Sequence, residues 1–445
     1  MSREGGFGGV GGGAATIAAM SQMYQTQLPN GLHVVAEAIP GVQSLAMTLL
    51  SPAGIASQPA DRLGVAPVLA EMLYRGAGDL DARQHSDALD LLGVQRSVGP
   101  ATRYFRLGAT MIGQRRAEAL PLLLDTFRRP QLRDESLGPS VELSIQGIDA
   151  LADEPQRRAM LELRHRHYPE PLGRSPLGQR EHLEALTAQD VREYWRRRFV
   201  ADGSILAFAG QFEWEALLAQ VTELLGDWSG RAEPAVAEDA GDTAGGGNGA
   251  GGGHHLAAES SQVHIALAYP GPAETHPDRI LQQAAAAVLS GGMSGRLFTE
   301  VREKRGLVYA VSASYHGQKD RGDVLAYAGT TTPRAQETLD VLVHELRRLG
   351  EGADASEFDR AVVGMKSGLV MQGESTSARA ASIANDVHLY GRPRGLEDAA
   401  AEIESLTLDR LNAYLAEHPP GEMTVVTLGP EALRLPESEA RASAG

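Results

Sequence analysis

Leu63-Gly64-Val65-Ala66-Pro67-Val68-Leu69-Ala70-Glu71-Met72-Leu73-Tyr74-Arg75-Gly76 has the frame of a zinc-binding helix from which the chemistry has been removed. A helix of the H-x-x-E-H type sets two His one turn apart on one face, with a Glu beside them as general base. Here those three positions hold Pro67, Ala70 and Glu71. Catalytic zinc needs three protein ligands, an open position for water and a base to take the water's proton. Of the three residues, Glu71 alone can bind a metal, and Ala70 cannot act as a base. Pro67 also lacks the N–H that would bond to residue 63, which predicts a kink. The apolar flanks persist, so the segment reads as a packing helix without a metal.

The whole chain of 445 residues has room for two to four domains. It is 42% hydrophobic, yet no apolar run approaches the length of a membrane span. With 41 basic and 57 acidic side chains the net charge is −16, which argues against a nucleic-acid partner. There is no Cys, which excludes disulfides, thiolate zinc sites and thiol catalysis. Residues 1–22 are expected to be a flexible leader. Their Gly/Ala-rich start is a poor secretory signal. A cytoplasmic location is therefore expected, with a periplasmic one as the alternative if a signal peptide has been removed.

Residues 234–255 are rich in Gly, Ala and Asp and read as a linker. They divide an N-terminal domain, 23–233, from a C-terminal domain, 256–437, followed by a tail, 438–445. The two halves echo each other. Leu186-Thr187, then Tyr194, then an apolar strand ending at Gly210 match Leu406-Thr407, Tyr414 and a strand ending at Gly429. Two copies of one α/β unit are expected. Gln27 to Val35, with Asn30-Gly31 inside it, signals a hairpin. Helical periods follow at 61–75, 82–93 and 115–127, with a long helical stretch near 138–167. Strands and helices do not alternate, which favours an α+β sandwich, an antiparallel sheet with helices packed on it, over a parallel sheet.

The second half carries Ser290-Gly291-Gly292-Met293-Ser294-Gly295-Arg296-Leu297-Phe298-Thr299-Glu300-Val301-Arg302-Glu303-Lys304-Arg305-Gly306-Leu307-Val308-Tyr309. It reads as a Gly-rich turn, a charged helix stopped at Gly306, and a strand over Val308–Tyr315. The turn lacks the G-x-x-x-x-G-K-[ST] frame of a phosphate loop. His165 and His167 read as solvated or capping residues, His254 and His255 as linker residues, and His264 as sheet packing.

These motifs, with Leu28-Pro29-Asn30-Gly31-Leu32 and Pro171-Leu172-Gly173-Arg174-Ser175-Pro176-Leu177-Gly178, resemble the pitrilysin-type metallopeptidases. That family includes mitochondrial processing peptidase, the bc1 core proteins and paired bacterial zinc peptidases. The resemblance runs from Leu28 to about Gly429. It places the family's third zinc ligand, a distal Glu, at Gly147, so a separate piece of the metal site is also missing. It makes Arg302 and Tyr309 the counterparts of the Arg/Tyr pair contributed by the non-catalytic half of a clamshell. The resemblance therefore implies two homologous α/β sandwich domains forming half of a clamshell, with no zinc in this chain. The zinc would sit in a homologous catalytic subunit with an intact H-x-x-E-H motif. A peptide substrate would lie between the two, and self-association of this chain is a further expectation. Two other readings stand beside this one. The first is a structural, peptide-binding or assembly subunit with no role in hydrolysis. The second is a divergent peptidase whose metal set uses Glu71 and a distant His.

Overall fold

Alternation of buried and exposed side chains on a strand normally marks a sheet with one wet face. The central strands of this chain break that pattern, being apolar on both faces. The reason emerges from the topology of a computed structural model that describes residues 21–231 and 251–435. The first half runs β1 (Gln22–Gln27), β2 (His33–Ala38), β3 (Ser44–Ser51), α1 (Val65–Leu73), β4 (Gly76–Ala77), β5 (Leu80–Asp81), α2 (Ala82–Leu91), β6 (Gln95–Pro100), β7 (Phe105–Ile112), α3 (Arg116–Arg128), α4 (Leu137–Asp149), α5 (Pro155–His167), α6 (Arg180–Ala185), α7 (Ala188–Arg198), β8 (Ile205–Gly210) and α8 (Trp214–Leu225). The second half runs β9 (Gly252–Ala257), β10 (Gln262–Gly271), α9 (Arg279–Ser290), a π-helical turn (Phe298–Glu303), β11 (Val308–Gly317), β12 (Gly322–Thr331), α10 (Ala335–Arg348), α11 (Ala355–Gly373), α12 (Thr376–Tyr390), α13 (Leu396–Glu404), α14 (Leu408–Glu417) and β13 (Thr424–Gly429).

Each half is an α+β sandwich. The first sheet has the order β1-β2-β8-β3-β7-β6, and the second β9-β13-β10-β12-β11 in reverse sense. Both are antiparallel except for one parallel pair, β2 with β8 and β9 with β13. The internal echo is therefore structural. Thr187 and Thr407 each cap the helix that follows, accepting the N–H three residues on at 3.2 Å. Tyr194 and Tyr414 are buried in the two cores, where their hydroxyls donate to the Ala53 carbonyl at 2.6 Å and to Gln282 Oε1 at 2.7 Å.

The pairing of β9 with β13 corrects the linker expectation. Gly252–His255 belong to a strand, and His255 Nδ1 lies 3.0 Å from Thr427 Oγ1. A Gly-Gly-His-His run carries no strand propensity of its own, and the register with β13 supplies it. The rest of the expected linker and the expected tail lie outside the described residues, as does the expected leader up to Met20. Gln22, the leader's last residue, already belongs to β1. The long helical stretch is two helices, α4 and α5, divided at Asp153-Glu154 with Pro155 opening the second.

α5 and α12 explain the doubly apolar strands. Each leaves its own half and lies on the outer face of the other half's sheet. Ala159 and Leu163 of α5 pack on Ala266, Ala268, Val426 and Leu428. Ile383, Ala384 and Val387 of α12 pack on Val35, Leu50, Ile205 and Ala207. Small side chains on both sides let helix and sheet approach closely. A polar pin fixes each exchange. Arg379 of α12 donates to Glu37 of β2 at 2.7 Å, with side-chain exposures of 3% and 2%. His167 of α5 donates from Nε2 to Asp323 at 2.7 Å and meets Thr424 Oγ1 with Nδ1 at 3.1 Å. His167 is thus buried. The expectation of a solvated His fails there, because residues two apart on a helix point to different sides.

At the far end of α12, Tyr104 Oη lies 2.8 Å from His388 Nδ1. Burial, with help from the Lys319 and Arg103 charges, pushes His388 down from 6.5 to about 4. The unfolded chain takes up this proton below pH 6.5, the folded chain only near pH 4. Between these values the unfolded state binds more protons, so stability falls as pH falls through that window. A His388→Gln variant is expected to flatten the dependence of the urea midpoint on pH between 6.5 and 4. An unchanged slope would remove His388 from this account. No described helix is long and apolar enough to cross a membrane.

Candidate functional site

The degenerate zinc helix forms as α1, but its start differs from expectation. Gln58, buried, accepts the N–H groups of Gly64 (2.9 Å) and Ala66 (3.0 Å), and the first intrahelical bond is Val68 N–H to the Gly64 carbonyl at 3.1 Å. Pro67 therefore sits in the first turn, where an N–H has no intrahelical acceptor, and the expected kink is absent. Gly64 meets Gly178 of the Pro171–Gly178 loop. A Cβ on Gly178 would stand 2.4 Å from the Gly64 Cα, so backbone touches backbone there, while at Gly64 (φ +117°) a Cβ would strike the Leu183 side chain. That contact seats the loop against the helix start, with Gln179 N–H donating to the Leu63 carbonyl.

Val65, Ala66, Val68, Leu69, Met72 and Leu73 of α1 enter the first core. Ala70 is buried with them, and Glu71 is half-buried. Gly147 lies on the neighbouring α4, and a Cβ there would meet nothing nearer than Leu177 at 3.8 Å. The two helices are also joined by Arg75 Nε donating to Ser140 Oγ at 3.1 Å. Among the described residues, no three His, Asp or Glu side chains converge as a metal site.

Arg302 and Tyr309 occupy two local irregularities. Arg302 lies in the π-helical turn Phe298–Glu303, where Lys304 N–H bonds to the Thr299 carbonyl five residues back at 3.0 Å. Such turns are often found at functional sites. The turn stops at Gly306 in the left-handed conformation (φ 61°), with Gly306 N–H reaching the Arg302 carbonyl (2.9 Å) as in an αL cap and Leu307 N–H the Val301 carbonyl (3.0 Å). Val301 and Leu307 are buried, leaving Arg302 exposed between them. Its guanidinium stacks 4.9 Å from the Phe298 ring centroid, and among the described residues no carboxylate pairs with it. The neighbouring Lys304 and Arg305 are both bound to Glu300. The base of this segment is anchored by Arg296, whose partner lies 61 residues away in sequence. It is buried and forks onto Glu357 at 2.8 and 2.6 Å. Burial alone would raise the Glu357 carboxyl, but Arg296 and the Asp354 N–H hold it below the ordinary carboxylate range.

Tyr309 stands in a bulge of β11, where the register against β12 slips between Val308 and Ala310. Bulges re-aim a side chain, and this one leaves Tyr309 43% exposed. Its ring lies across Gly329 of β12, where a Cβ would fall 2.4 Å from Tyr309 Cζ. Its hydroxyl donates to Gln262 Oε1 at 3.0 Å. Behind it, Tyr327 Oη is 2.7 Å from His264 Nδ1. Burial, and then the hydrogen bond with Tyr309, push the Tyr327 phenol well above its ordinary value, and burial holds His264 below its own. Tyr309 is therefore braced from behind by the buried Tyr327, which His264 holds in turn. Tyr327 was invisible in the sequence because its partner lies 63 residues away. His264, read as packing, also carries this bond. Arg302 and Tyr309 lie at the two ends of the Gly306 turn, and no hydrogen bond joins them.

Both sheets end in an edge strand near these features. On β6 the Val98 N–H already donates to Tyr74 Oη at 2.8 Å, so the end of α1 blunts that edge. β11 pairs only with β12, and its other edge is open among the described residues.

Residues 185–365 match the family described as the peptidase M16 inactive domain. The chain is 27% identical over 393 residues to an uncharacterized zinc protease of Streptomyces coelicolor, an alignment covering 87% of this chain and 85% of that one. It is 24% identical over 398 residues to the uncharacterized zinc protease YmxG of Bacillus subtilis, covering 88% and 94%. Among solved structures, a peptidase M16 inactive domain from Pseudomonas fluorescens superposes with a TM-score of 0.80 at 22% identity, over 93% of this chain and all of that one. The periplasmic protease PqqL of Escherichia coli gives 0.77 at 17% identity, over 93% of this chain and 47% of that longer one.

Proposed function

We propose that this chain, similar over most of its length to M16 zinc proteases and matched over residues 185–365 by the M16 inactive domain, works as one half of a two-subunit zinc peptidase. A separately encoded homologue with an intact H-x-x-E-H helix and distal Glu would hold the zinc and the attacking water. This chain would present Arg302 and Tyr309 to the peptide, and the open edge of β11 to its backbone. The observation that carries the reading is the contrast between two sites. Pro67, Ala70, Glu71 and Gly147 lack the metal chemistry, while Arg302 and Tyr309 stand exposed, uncommitted to any carboxylate and held by a π turn, a bulge and a buried phenol. A guanidinium and a phenol both donate, and the oxyanion formed when zinc-bound water attacks a carbonyl needs donors.

The test is co-expression with a homologue carrying the intact helix, followed by peptide hydrolysis by each chain and by their mixture. The mixture is expected to turn over peptide at least tenfold faster than the homologue alone, and this chain alone not at all. A mixture no faster than the homologue would sink the proposal and leave a structural subunit.

A further inference from the structure

Between the two exchanged helices lies a cavity of about 1010 Å³, walled by α5 on one side and α12 on the other. Its charge is opposite to that of the protein. In a chain of net charge −16, the basic side chains lining it outnumber the carboxylates seven to three. The carboxylates are already taken. Arg279 pairs with Glu274 and Glu402, and Arg394 with Asp386 and Glu402. Arg379 and Arg103 are bound to Glu37 and Asp320, which lie outside the lining. Three cations remain: Arg106, Arg164 and Lys319. Among the described residues none of them has a carboxylate within ion-pair distance.

Arg164 is the most telling. Its Nε and Nη2 donate to the carbonyls of Arg174 (3.2 Å) and Leu172 (2.6 Å) and to Thr102 Oγ1 (3.1 Å), leaving Nη1 without a protein partner. Its guanidinium is 5.7 Å from the Tyr168 ring centroid, and Arg321 lies 5.3 Å from the same ring. Arg321 Nε is itself buried without an acceptor. Two partly desolvated guanidiniums share one ring, and although the buried Asp323 lies at the Tyr168 hydroxyl, neither guanidinium is paired with it, so an anion in the cavity would offset their burial.

The rest of the lining suits a peptide. Gln283, Gln318 and Asn385 offer amides to a backbone, while Met160, Leu325 and Leu369 offer apolar surface. The volume lies at the upper end of the roughly 300–1,000 Å³ of ligand pockets, far more than a lone oxyanion fills.

We propose that this cavity is a preformed binding site for a carboxylate-rich peptide segment, held by Arg106, Arg164 and Lys319. The site needs no partner subunit and no zinc, so it stands or falls separately from the peptidase reading. The test is fluorescence anisotropy of the full chain with labelled, end-capped hexaglutamate, hexalysine and hexaserine peptides, with inorganic phosphate as competitor. Saturable binding of hexaglutamate is expected, with neither other peptide binding and with affinity falling steeply as salt rises. The doubly substituted Arg106→Gln, Lys319→Gln chain alters exposed positions and should keep its unfolding midpoint, while binding at least tenfold more weakly. A control pair on the outer surface, Arg83→Gln with Arg115→Gln, should bind as the parent does. Three results would overturn the proposal: hexaglutamate and hexaserine binding alike, affinity indifferent to the Arg106/Lys319 pair, or phosphate binding more tightly than hexaglutamate.

Discussion

Arg302→Ala, in the two-subunit enzyme proposed above, is expected to cut peptide turnover by about 10²–10³, the usual cost of removing one donor to a developing oxyanion. Tyr309→Phe is expected to do the same. These two substitutions separate chemistry from structure with unusual clarity. Arg302 is exposed and has no ion pair, so its loss removes a stacking contact with Phe298 and little else from the fold. Phenylalanine at 309 keeps the ring across Gly329 and deletes only the hydroxyl, with its bonds to Gln262 and Tyr327. Size-exclusion profiles and unfolding midpoints should therefore match the parent while kcat falls. Arg302→Lys should recover only part of the loss, because an ammonium lacks the planar fork. Turnover within twofold of the parent for both substitutions would show that the pair is structural.

Glu37→Ala is expected to lower stability by about 3–5 kcal/mol, read as a shift of the urea midpoint. Removing this carboxylate leaves Arg379 charged, buried and bonded only to the Arg394 carbonyl at 3.2 Å. The cost arises from a buried guanidinium left with only the more distant Asp386, more than from the value of the pair. The double variant Glu37→Met, Arg379→Leu is accordingly expected to regain most of the loss, since an apolar replacement of a buried pair is often neutral. A single variant within about 1 kcal/mol of the parent would show that water reaches Arg379 when Glu37 is gone.

The sequence made the duplication, the α+β class and the hairpin at Asn30-Gly31 readable, because repeats, alternation and turn residues are local patterns. The side chains of Pro67 and Ala70 cannot ligate zinc in any fold, which is a property of residue type and needs no structure to read. The exchange of α5 and α12 was not readable. A helix with an apolar face has the same period whether it covers its own sheet or another. β9 was hidden because its strand character comes from pairing with β13 and not from Gly252 or Gly253. The π turn under Arg302 and the bulge under Tyr309 leave no mark in composition, since each is a hydrogen bond displaced by one residue. Gly306, by contrast, announced its helix stop correctly.

The exchanged helices also limit how this molecule can move. Each half covers the other's sheet, so the two cannot swing apart about a hinge without stripping apolar faces of both and exposing Arg379 and Asp323 to water. The two halves are therefore tied together as one unit. In the two-subunit enzyme proposed above, the moving joint would have to lie between polypeptides, where this chain would supply a fixed shape against which another turns.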